Sequence, residues 1–289
     1  MIVLKKKRRS ATLLLFIIIL LIFGYWQNND LVLSEIACSS EKIDQAFDGF
    51  KILQVSDLHN TYFGDKQQRL IEAATKSQPD IIVITGDLLD SRHDDIEGAI
   101  DFARAAVDIA PTYFVTGNHE AASNQYQQLL QELDDAGVFL LDNQQIFIER
   151  GDSRLTLVGV ADPLFATIEQ LAQEGDYYQQ TLDNLLAAGG DNFSIVLAHR
   201  PEDFALYVKS GADLVFCGHA HGGQVRIPLI GGVYSPGQGL WPEYTSGFYS
   251  EENTTMVVSR GLGNSLFPIR VFNRPQLLLL TLHSEDSEV

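Results

Sequence analysis

The stretch Leu214-Val-Phe-Cys-Gly-His-Ala-His221 runs from four apolar residues through a glycine into two histidines. An apolar run of this length that is bounded by glycine predicts a buried strand ending in a turn. Two imidazoles at i and i+2 can point at two neighbouring ions, and Gly222 and Gly223 leave room for that approach. The stretch therefore predicts an α/β protein with polar, metal-binding side chains at the carboxyl end of a sheet.

Four earlier blocks repeat this form, in which an apolar run leads into a turn with polar side chains. The blocks are Asp57-Leu-His59, Gly86-Asp87, Gly117-Asn118-His119-Glu120 and His199. Five of the seven histidines in the chain lie in the five blocks. We therefore interpret the blocks as parts of one site.

The residue types suggest separate roles. Asp57 and His59 offer a carboxylate and an imidazole, a mixed set suited to Mn²⁺, Fe or Zn²⁺. The Asp87 carboxylate can bridge two cations through its two oxygens, and Asn118 offers a neutral carbonyl ligand. His119, if turned toward the substrate, can protonate a leaving oxygen, with Glu120 placed to orient or support it.

Two residues near these blocks have simpler interpretations. Asp90 is best explained as a helix or turn cap, and His93 as a surface loop residue. A lone histidine such as His199 is usually structural, but this one follows the apolar run Ser194–Leu197 as the other blocks follow theirs.

Hydrophobic periodicity predicts strands that alternate with helices, as in a layered α/β protein. The predicted strands are Phe50–Val55, Ile81–Ile84, Thr112–Val115, Arg154–Val160, Ser194–Leu197, Leu214–Phe216, Met256–Ser259 and Leu277–Leu282. The predicted helices are Lys66–Lys76, Ile96–Asp108, Tyr126–Ala136, Gln179–Ala188 and Glu202–Lys209. The run Ile230–Ser250, rich in Gly, Pro, Tyr and Trp, predicts a long ordered loop beside the site.

Composition excludes some classes of function. The chain has 289 residues and a net charge of −18, and five of its basic residues are clustered at Lys5–Arg9, so the rest is more acidic still. Such a surface repels phosphate backbones, which argues against nucleic acid as a partner. The two cysteines, Cys38 and Cys217, give no disulfide framework and are interpreted as lone packed thiols.

The amino terminus predicts a membrane anchor. The basic cluster precedes an apolar run from Ala11 to Trp26, which is about 24 Å long as a helix and short but adequate for a ~30 Å hydrocarbon core. A cleaved signal peptide is the competing interpretation, although no small-x-small cleavage site follows. Arg8-Arg9 leaves a weak twin-arginine signal open. The basic side should stay in the cytoplasm, with the body outside.

These features divide the chain into five predicted segments. They are a basic cytoplasmic tail at 1–10, a transmembrane anchor at 11–26, a linker and lead-in strand at 27–47, the main domain at 48–284 and an acidic tail at 285–289.

The ordered set of blocks resembles the calcineurin-like metallophosphoesterases over roughly residues 48–284. Glu120 stands where that family usually has aspartate. The segments Leu197–Pro201, Gly222–Gln224 and Ser259–Gly263 resemble the membrane-associated bacterial branch. Some members of that branch are similar to UDP-2,3-diacylglucosamine pyrophosphatases.

The resemblance implies a four-layer α/β/β/α sandwich that binds two divalent ions. By the family pattern Asp57, His59 and His221 would hold one ion, and Asn118, His199 and His219 the second, with Asp87 as the bridge. A hydroxide between the ions would attack phosphorus, and His119 would protonate the leaving group. The cations would also explain how an acidic protein binds an anionic substrate.

The sequence leaves the substrate open. A phospholipid head group, a lipid-linked diphosphate and a small phosphoester are all compatible with an anchored site. Candidate phosphate contacts are Arg200 and Arg260, followed by Arg226, Arg270 and Arg274, each of which could equally be a surface ion-pair partner. Large apolar and aromatic residues of the predicted loop could receive an acyl chain or a base ring, or form the core of the loop; they are Leu240, Trp241, Tyr244, Phe248 and Tyr249.

Three alternatives to an exported phosphoesterase remain. One is a non-catalytic module that binds metal or phosphate on the same scaffold, which the intact His119 disfavours. Another is a two-metal peptidase, disfavoured because no further carboxylate-rich block accompanies the histidines. The third is a UDP-2,3-diacylglucosamine pyrophosphatase proper, which requires a cytoplasmic site because such a precursor is made in the cytoplasm.

Overall fold

The computed structural model describes residues 2–167, 170, 177–265 and 267–285, with the side chains of 2–11 left aside. Most of the predicted acidic tail, residues 286–289, lies outside the described residues. The helices are α1 Ile2–Asn29, α2 Gln68–Ser77, α3 Glu97–Ile109, α4 Asn118–Ala122, α5 Tyr126–Ala136, α6 Tyr177–Gly189 and α7 Phe204–Lys209.

The strands form two large sheets and two short hairpins. In chain order they are β1 Val32–Ser40, β2 Lys51–Val55, β3 Ile81–Thr85, β4 Thr112–Val115, β5 Phe139–Leu140, β6 Gln144–Arg150, β7 Ser153–Gly159, β8 Ser194–Leu197, β9 Leu214–Cys217, β10 Arg226–Ile227, β11 Gly231–Gly232, β12 Tyr234–Ser235, β13 Gly239–Leu240, β14 Gly247–Glu251, β15 Thr254–Val258 and β16 Gln276–Ser284.

Each large sheet has six strands and a mostly parallel centre. The first sheet has the order β1-β16-β2-β3-β4-β5, and the second has the order β14-β15-β9-β8-β7-β6. In the first sheet β2, β3 and β4 run parallel, and in the second β7, β8 and β9 do. Their carboxyl ends carry the five polar blocks, which is where a parallel sheet presents functional side chains.

Three apolar layers hold the sandwich together. The middle layer packs the two sheets face to face through residues such as Ile52, Val83, Leu157, Leu197 and Phe216. A second layer lies between the first sheet and α2, α3 and α5, and a third between the second sheet and α6 and α7. Strands buried on both faces read as unbroken apolar runs, which is why the sequence reveals them. The predicted four-layer α/β/β/α fold is confirmed.

The strands that sequence periodicity did not name lie at sheet edges or in the predicted loop. Strand β6 reads Gln-Gln-Ile-Phe-Ile-Glu-Arg and is half exposed, because it is the outer strand of the second sheet. The predicted loop Ile230–Ser250 contains short hairpins, and its last residues belong to edge strand β14. Cys38 and Cys217 are free thiols, as predicted.

One N-terminal helix is long and apolar enough to cross a membrane by length and composition. Within α1, the window Thr12–Asn29 meets that test, and almost all of it is exposed in the molecule. Strand β1 follows two residues after the helix and pairs in parallel with β16 along nine residues, from Val32 opposite Gln276 to Ser40 opposite Ser284. The predicted lead-in segment is therefore built into the first sheet.

Candidate metal centre

Turns at the carboxyl ends of both sheets bring the polar blocks together. Asp57 and His59 follow β2, Asp87 follows β3, and Asn118 opens α4 directly after β4. His199 follows β8 in the second sheet, and His219 and His221 follow β9. All seven are clustered, and the six Asp and His side chains among them are almost completely buried.

The backbone of these turns is held in an unusual conformation. Five of the predicted ligands have positive φ: Asp57 at 53°, His59 at 46°, Asp87 at 54°, His219 at 63° and His221 at 47°. Each non-glycine residue in this region costs about 1–3 kcal/mol and persists only where its surroundings enforce it. Such strain marks functional turns more often than structural ones.

Two glycines in these turns are required for close packing. A Cβ on Gly117 would collide with the Asp87 carboxylate, and a Cβ on Gly218 would collide with Ser56 Oγ and Asp57 Oδ2. The carboxylates in turn accept backbone amides, since His119 N–H donates to Asp87 Oδ1 at 2.8 Å and His219 N–H to Asp57 Oδ1 at 3.0 Å. The glycines thus let neighbouring turns fix both carboxylates.

One group of ligand atoms comprises Asp57, His59, Asp87 and His221, whose atoms all lie within 4.8 Å of one another. His59 Nε2 lies 3.1 Å from His221 Nε2 and 3.5 Å from Asp87 Oδ2. His221 Nε2 lies 3.4 Å from Asp57 Oδ1. Four ligand atoms are therefore gathered around one point, as a single cation would need.

A second group comprises Asp87, His199 and His219, with Asn118 beside it. His199 Nε2 lies 3.2 Å from Asp87 Oδ2, 3.1 Å from Asn118 Oδ1 and 3.1 Å from His219 Nδ1. Asp87 thus belongs to both groups.

The donor chemistry of this second group fits a cation. His199 Nδ1 lies 2.8 Å from the Thr85 carbonyl, which accepts its proton and leaves Nε2 as a lone pair facing two oxygens. A carbonyl that accepts the proton of the far ring nitrogen in this way fixes the orientation of a metal-binding imidazole. In the first group the Nε2 atoms of His59 and His221 face each other at 3.1 Å, and each also faces a carboxylate oxygen at 3.4–3.5 Å. Acceptors that face one another in this way are stable only when a cation, or a proton in its place, lies among them.

The pKa shifts in the cluster also indicate that it requires a positive charge. Burial disfavours a charged His199, yet the Asp87 carboxylate outweighs burial and raises the pKa of His199 to about 10. Burial works against the Asp87 charge too, but His199 and His59 hold the pKa of Asp87 well below its usual range. Burial raises the pKa of Asp57 to about 6. A bound cation would supply the positive charge that a proton on His199 supplies here.

His119 lies at the edge of the cluster and remains partly exposed. Its ring packs edge-on against His59 with a centroid distance of 4.5 Å. The Ser91 amide donates to His119 Nδ1 at 3.0 Å, and Asp90 Oδ1 lies 3.6 Å from the same nitrogen. Because Ser91 occupies Nδ1, Nε2 is the nitrogen available to a substrate.

Glu120 braces the backbone of the turns instead of the imidazole beside it. Its carboxylate accepts amides from Asp87 and Gly117, each at 2.8 Å, and from Leu89 at 3.0 Å. The carboxylate is fully buried, so burial and the neighbouring Asp87 charge raise its pKa to about 7. Support for His119 through this residue is thus indirect.

Asp90 and His93 form a polar cluster beside His119. Asp90 accepts Arg92 N–H at 3.1 Å, as expected of a turn cap, and also pairs with the Arg92 guanidinium at 2.7 Å. His93 is exposed and lies 3.2 Å from Asp90. Asp90 is therefore a cap that also faces His119.

A cleft of about 230 Å³ opens over the cluster. It is lined by Asp87, Arg92, Asn118, His119, His219, His221, Pro236 and Ser265. Arg200 contributes none of this lining, because its guanidinium pairs with Asp162 through contacts of 2.7 and 3.0 Å. Arg260 lies behind the His221 turn, where burial lowers its pKa to about 10.

Sequence reasoning missed four residues that shape the site. Ser56 donates to Asp57 Oδ2 at 2.6 Å, and Thr85 fixes the His199 tautomer. Ser91 contacts His119, and Arg92 lines the cleft. Ser56 and Thr85 adjoin the blocks, but no spacing rule marks them. Ser91 and Arg92 directly follow Asp90, and this closeness to the Gly86-Asp87 block is the signal in the sequence that could have identified them.

Comparison with known proteins assigns this arrangement to a class. Residues 50–223 match the calcineurin-like phosphoesterases, and the chain belongs to that family. Members are hydrolases that act on phosphoesters with two divalent metal ions, and the cluster described above is able to hold metal.

Individual relatives agree with this assignment. The metallophosphoesterase YkuE of Bacillus subtilis is 29% identical over 91% of this chain and 89% of its own length. The phosphodiesterase YaeI of Escherichia coli is 29% identical over 81% of this chain and 82% of its own length.

A vertebrate relative and a solved structure are more distant. A transmembrane protein with a metallophosphoesterase domain from Danio rerio is 27% identical over 84% of this chain, which spans 55% of that protein. The crystal structure of a dimetal phosphatase from Danio rerio matches 74% of this chain and 88% of that chain, at 11% identity and a TM-score of 0.47.

Proposed function

We propose that this protein is a membrane-anchored phosphoesterase that hydrolyses a phosphoester or diphosphate bond of a lipid, of a lipid-linked nucleotide or of another small phosphorylated molecule. The observation that carries the proposal is the sharing of Asp87 between two buried ligand groups under one cleft. Two ions that share a carboxylate lie about 3.5–4 Å apart, as two-metal hydrolysis requires.

We assign one ion to Asp57, His59 and His221, and the other to Asn118, His199 and His219, with Asp87 between them. The ions, when bound, would activate a water and neutralise charge on the phosphoryl oxygens. The chain holds its ligands rigidly, because amides, Thr85 and the strained turns fix their orientation before a substrate arrives. Such preorganisation is the protein's main contribution to this chemistry.

We assign the general acid to His119. The Ser91 contact to Nδ1 turns Nε2 toward the cleft, where it can give a proton to the leaving oxygen. Asp90 Oδ1 lies 3.6 Å from the same Nδ1 and flanks the ring on that side. His119 is thus a catalytic residue, while Ser91 and Asp90 are positioning residues.

We place the domain at the outer face of the cell membrane. Helix α1 would span the membrane once, because its apolar window is exposed in the molecule and the basic cluster Lys5–Arg9 should remain in the cytoplasm. Phosphorylated head groups would then lie within reach of the cleft. We expect no nucleic-acid substrate, since the chain is strongly acidic.

The test is turnover by full-length protein, stripped of metal and then supplied with Mn²⁺, on matched substrates. A phospholipid in vesicles, a lipid diphosphate in vesicles and a soluble nitrophenyl phosphodiester would be compared. We expect hydrolysis only with metal, and faster hydrolysis of a lipid than of the soluble ester at equal concentration. Equal or slower lipid turnover would refute the lipid assignment, and no turnover of any substrate would refute the enzyme.

A further inference from the structure

We propose that the body of the protein has a second membrane contact, an apolar rim that dips into the bilayer surface around the point where α1 leaves it. The rim consists of Leu229, Ile230, Trp241, Phe267, Ile269 and Phe272. Its occupant is the lipid bilayer that α1 enters. The inference rests on the proposed function only in taking α1 as the membrane anchor.

The rim is an exposed apolar surface on an otherwise acidic body. Leu229 is fully exposed at the tip of the β10–β11 hairpin, and Ile230, Trp241 and Ile269 are each more than half exposed. Most of the large apolar side chains that are exposed outside α1 lie between Ile227 and Phe272. A soluble protein rarely exposes contiguous apolar side chains without a partner for them.

Backbone and ring contacts join the loops of the rim to each other. Val225 bridges Val271, and the Arg226 amide donates to the Val271 carbonyl at 2.9 Å, so the β10–β11 hairpin lies beside the loop that carries Ile269 and Phe272. The Phe267 ring lies 6.2 Å from that of Tyr234 in the neighbouring hairpin. The Trp241 amide donates to the Val233 carbonyl at 2.9 Å. The rim is therefore one surface.

The same surface is continuous with the end of α1. The Phe272 ring packs edge-on against Phe23 of the helix at 5.5 Å. The Asn28 side chain accepts the Arg270 amide at 2.8 Å, and Gln27 Oε1 accepts the Asn273 amide at 3.1 Å. These contacts attach the loop that bears Ile269 and Phe272 to α1. Insertion of α1 into the bilayer would therefore place the rim at the membrane surface.

Charge and chemistry also fit a lipid surface. Arg226 and Arg260 lie just behind the rim, half-buried, and neither forms an ion pair in the part of the chain that the structure describes. Arg260 Nε is buried without a partner. The Arg226 guanidinium donates to neutral oxygens, the Gly222 carbonyl at 2.8 Å and Thr245 Oγ1 at 3.2 Å. Guanidinium groups that lack an ion pair and lie next to apolar side chains suit the phosphate layer of a bilayer, and tryptophan favours that interface.

The rim also adjoins the metal centre. Ser265 lines the cleft, and Phe267 follows two residues later. Asn273 donates to the His221 carbonyl at 2.7 Å, so the loop that packs on α1 also holds the turn of a proposed metal ligand. Docking of the rim would thus fix the cleft at head-group height.

The experiment places an environment-sensitive fluorophore on Leu229→Cys or Ile269→Cys in the full-length protein. The matched control is Phe139→Cys, an exposed apolar site on β5, at the sheet edge opposite β1. Native thiols should react little, because Cys217 is buried and burial raises the pKa of Cys38 to about 11. Unsubstituted protein measures that background.

The labelled proteins are reconstituted into vesicles of phosphatidylcholine and phosphatidylglycerol, with and without doxyl-labelled lipid. We expect doxyl lipid to quench the labels at 229 and 269 severalfold more than the label at 139, with aqueous iodide showing the reverse order. Labels that iodide quenches equally at all three sites would overturn the proposal. Labels shielded from iodide but untouched by doxyl lipid would also overturn it, by placing another protein chain on the rim.

The result is independent of turnover. Lipid quenching at 229 and 269 in a protein without phosphoesterase activity would support the rim while refuting the proposed function. Active protein whose rim labels remain in water would refute the rim alone. The two sites are substituted separately, so one poorly folding variant leaves the other as the test.

Discussion

At the residue scale, the proposed two-metal site depends on Asp87, which lies between the two ligand groups. Its Oδ2 lies 3.5 Å from His59 Nε2 and 3.2 Å from His199 Nε2, so both ligand groups depend on one carboxylate. Removing its charge leaves each group with fewer anionic ligands, while the side chain keeps its shape as an amide.

We expect Asp87→Asn to abolish turnover and to lower bound metal to one ion or none per chain. Metal analysis after dialysis, together with turnover on an activated phosphodiester, measures both effects. Asp191→Asn, at an exposed site away from the cleft, is the control and should match the parent. Two tightly held ions and a near-normal rate in Asp87→Asn would contradict the bridge.

His119 should behave differently, because we assign it to the substrate and not to a metal. We expect His119→Ala to keep both ions while its rate on substrates with poor leaving groups falls about 10²–10⁴-fold. The loss should be much smaller on an activated aryl ester, which leaves without a proton. His283→Ala, a half-exposed histidine on β16 that lies beside Asp48, is the control. Equal losses on both substrates would rule out the acid role.

The residue types and their spacing predicted that these blocks would meet, because each proposed ligand sits beside a glycine or at the end of an apolar run. The contacts of Ser91 and Thr85 could not be predicted, since they depend on how separate turns meet in space. Glu120 illustrates the same limit. It adjoins His119 in sequence, yet its carboxylate accepts amides from three positions of the surrounding turns.

At the element scale, strand β1 covers the edge of the first sheet and contributes to its stability. It pairs with β16 along nine residues, and Ile36 and Cys38 pack against the core between the sheets. Sequence periodicity did not define its bounds, because its exposure alternates only weakly. The buried central strands, by contrast, were predicted to within about two residues of their observed ends.

We expect a chain that begins at Lys42 to unfold at a much lower temperature than one that begins at Asp30. The shorter chain loses β1 and leaves β16 as an uncovered edge, which should cost about 3 kcal/mol or more. The chain from Asp30 keeps both large sheets and loses the contacts that the end of α1 makes with the body, such as Phe23 with Phe272 and Asn28 with Arg270, which together contribute about 2 kcal/mol. Thermal unfolding followed by circular dichroism measures the difference, and equal midpoints would contradict the structural role of β1.

At the scale of the whole molecule, topology decides which substrates the cleft can reach. We expect the amino terminus to stay in the cytoplasm, α1 to remain uncleaved, and the body to face outward. The test is protease treatment of intact cells whose outer barrier has been opened. Digestion of the body, in protein first seen at its uncleaved mass, is the expected result.

Complete protection of the body in that experiment would place the cleft in the cytoplasm. A nucleotide-linked lipid precursor would then become the leading substrate, as it would be for a UDP-2,3-diacylglucosamine pyrophosphatase. Orientation is set by charges at a membrane, so the contacts within the folded body do not determine it.

The central claim is that this molecule hydrolyses phosphoesters with two ions held by one shared carboxylate. The most direct measurement is a titration of metal-stripped full-length protein with Mn²⁺, in which bound metal and turnover of a phosphodiester are recorded in the same samples. We expect two ions to bind per chain and turnover to appear only as the second ion is taken up. Full turnover with one ion bound, or two bound ions without turnover on any phosphoester, would contradict it.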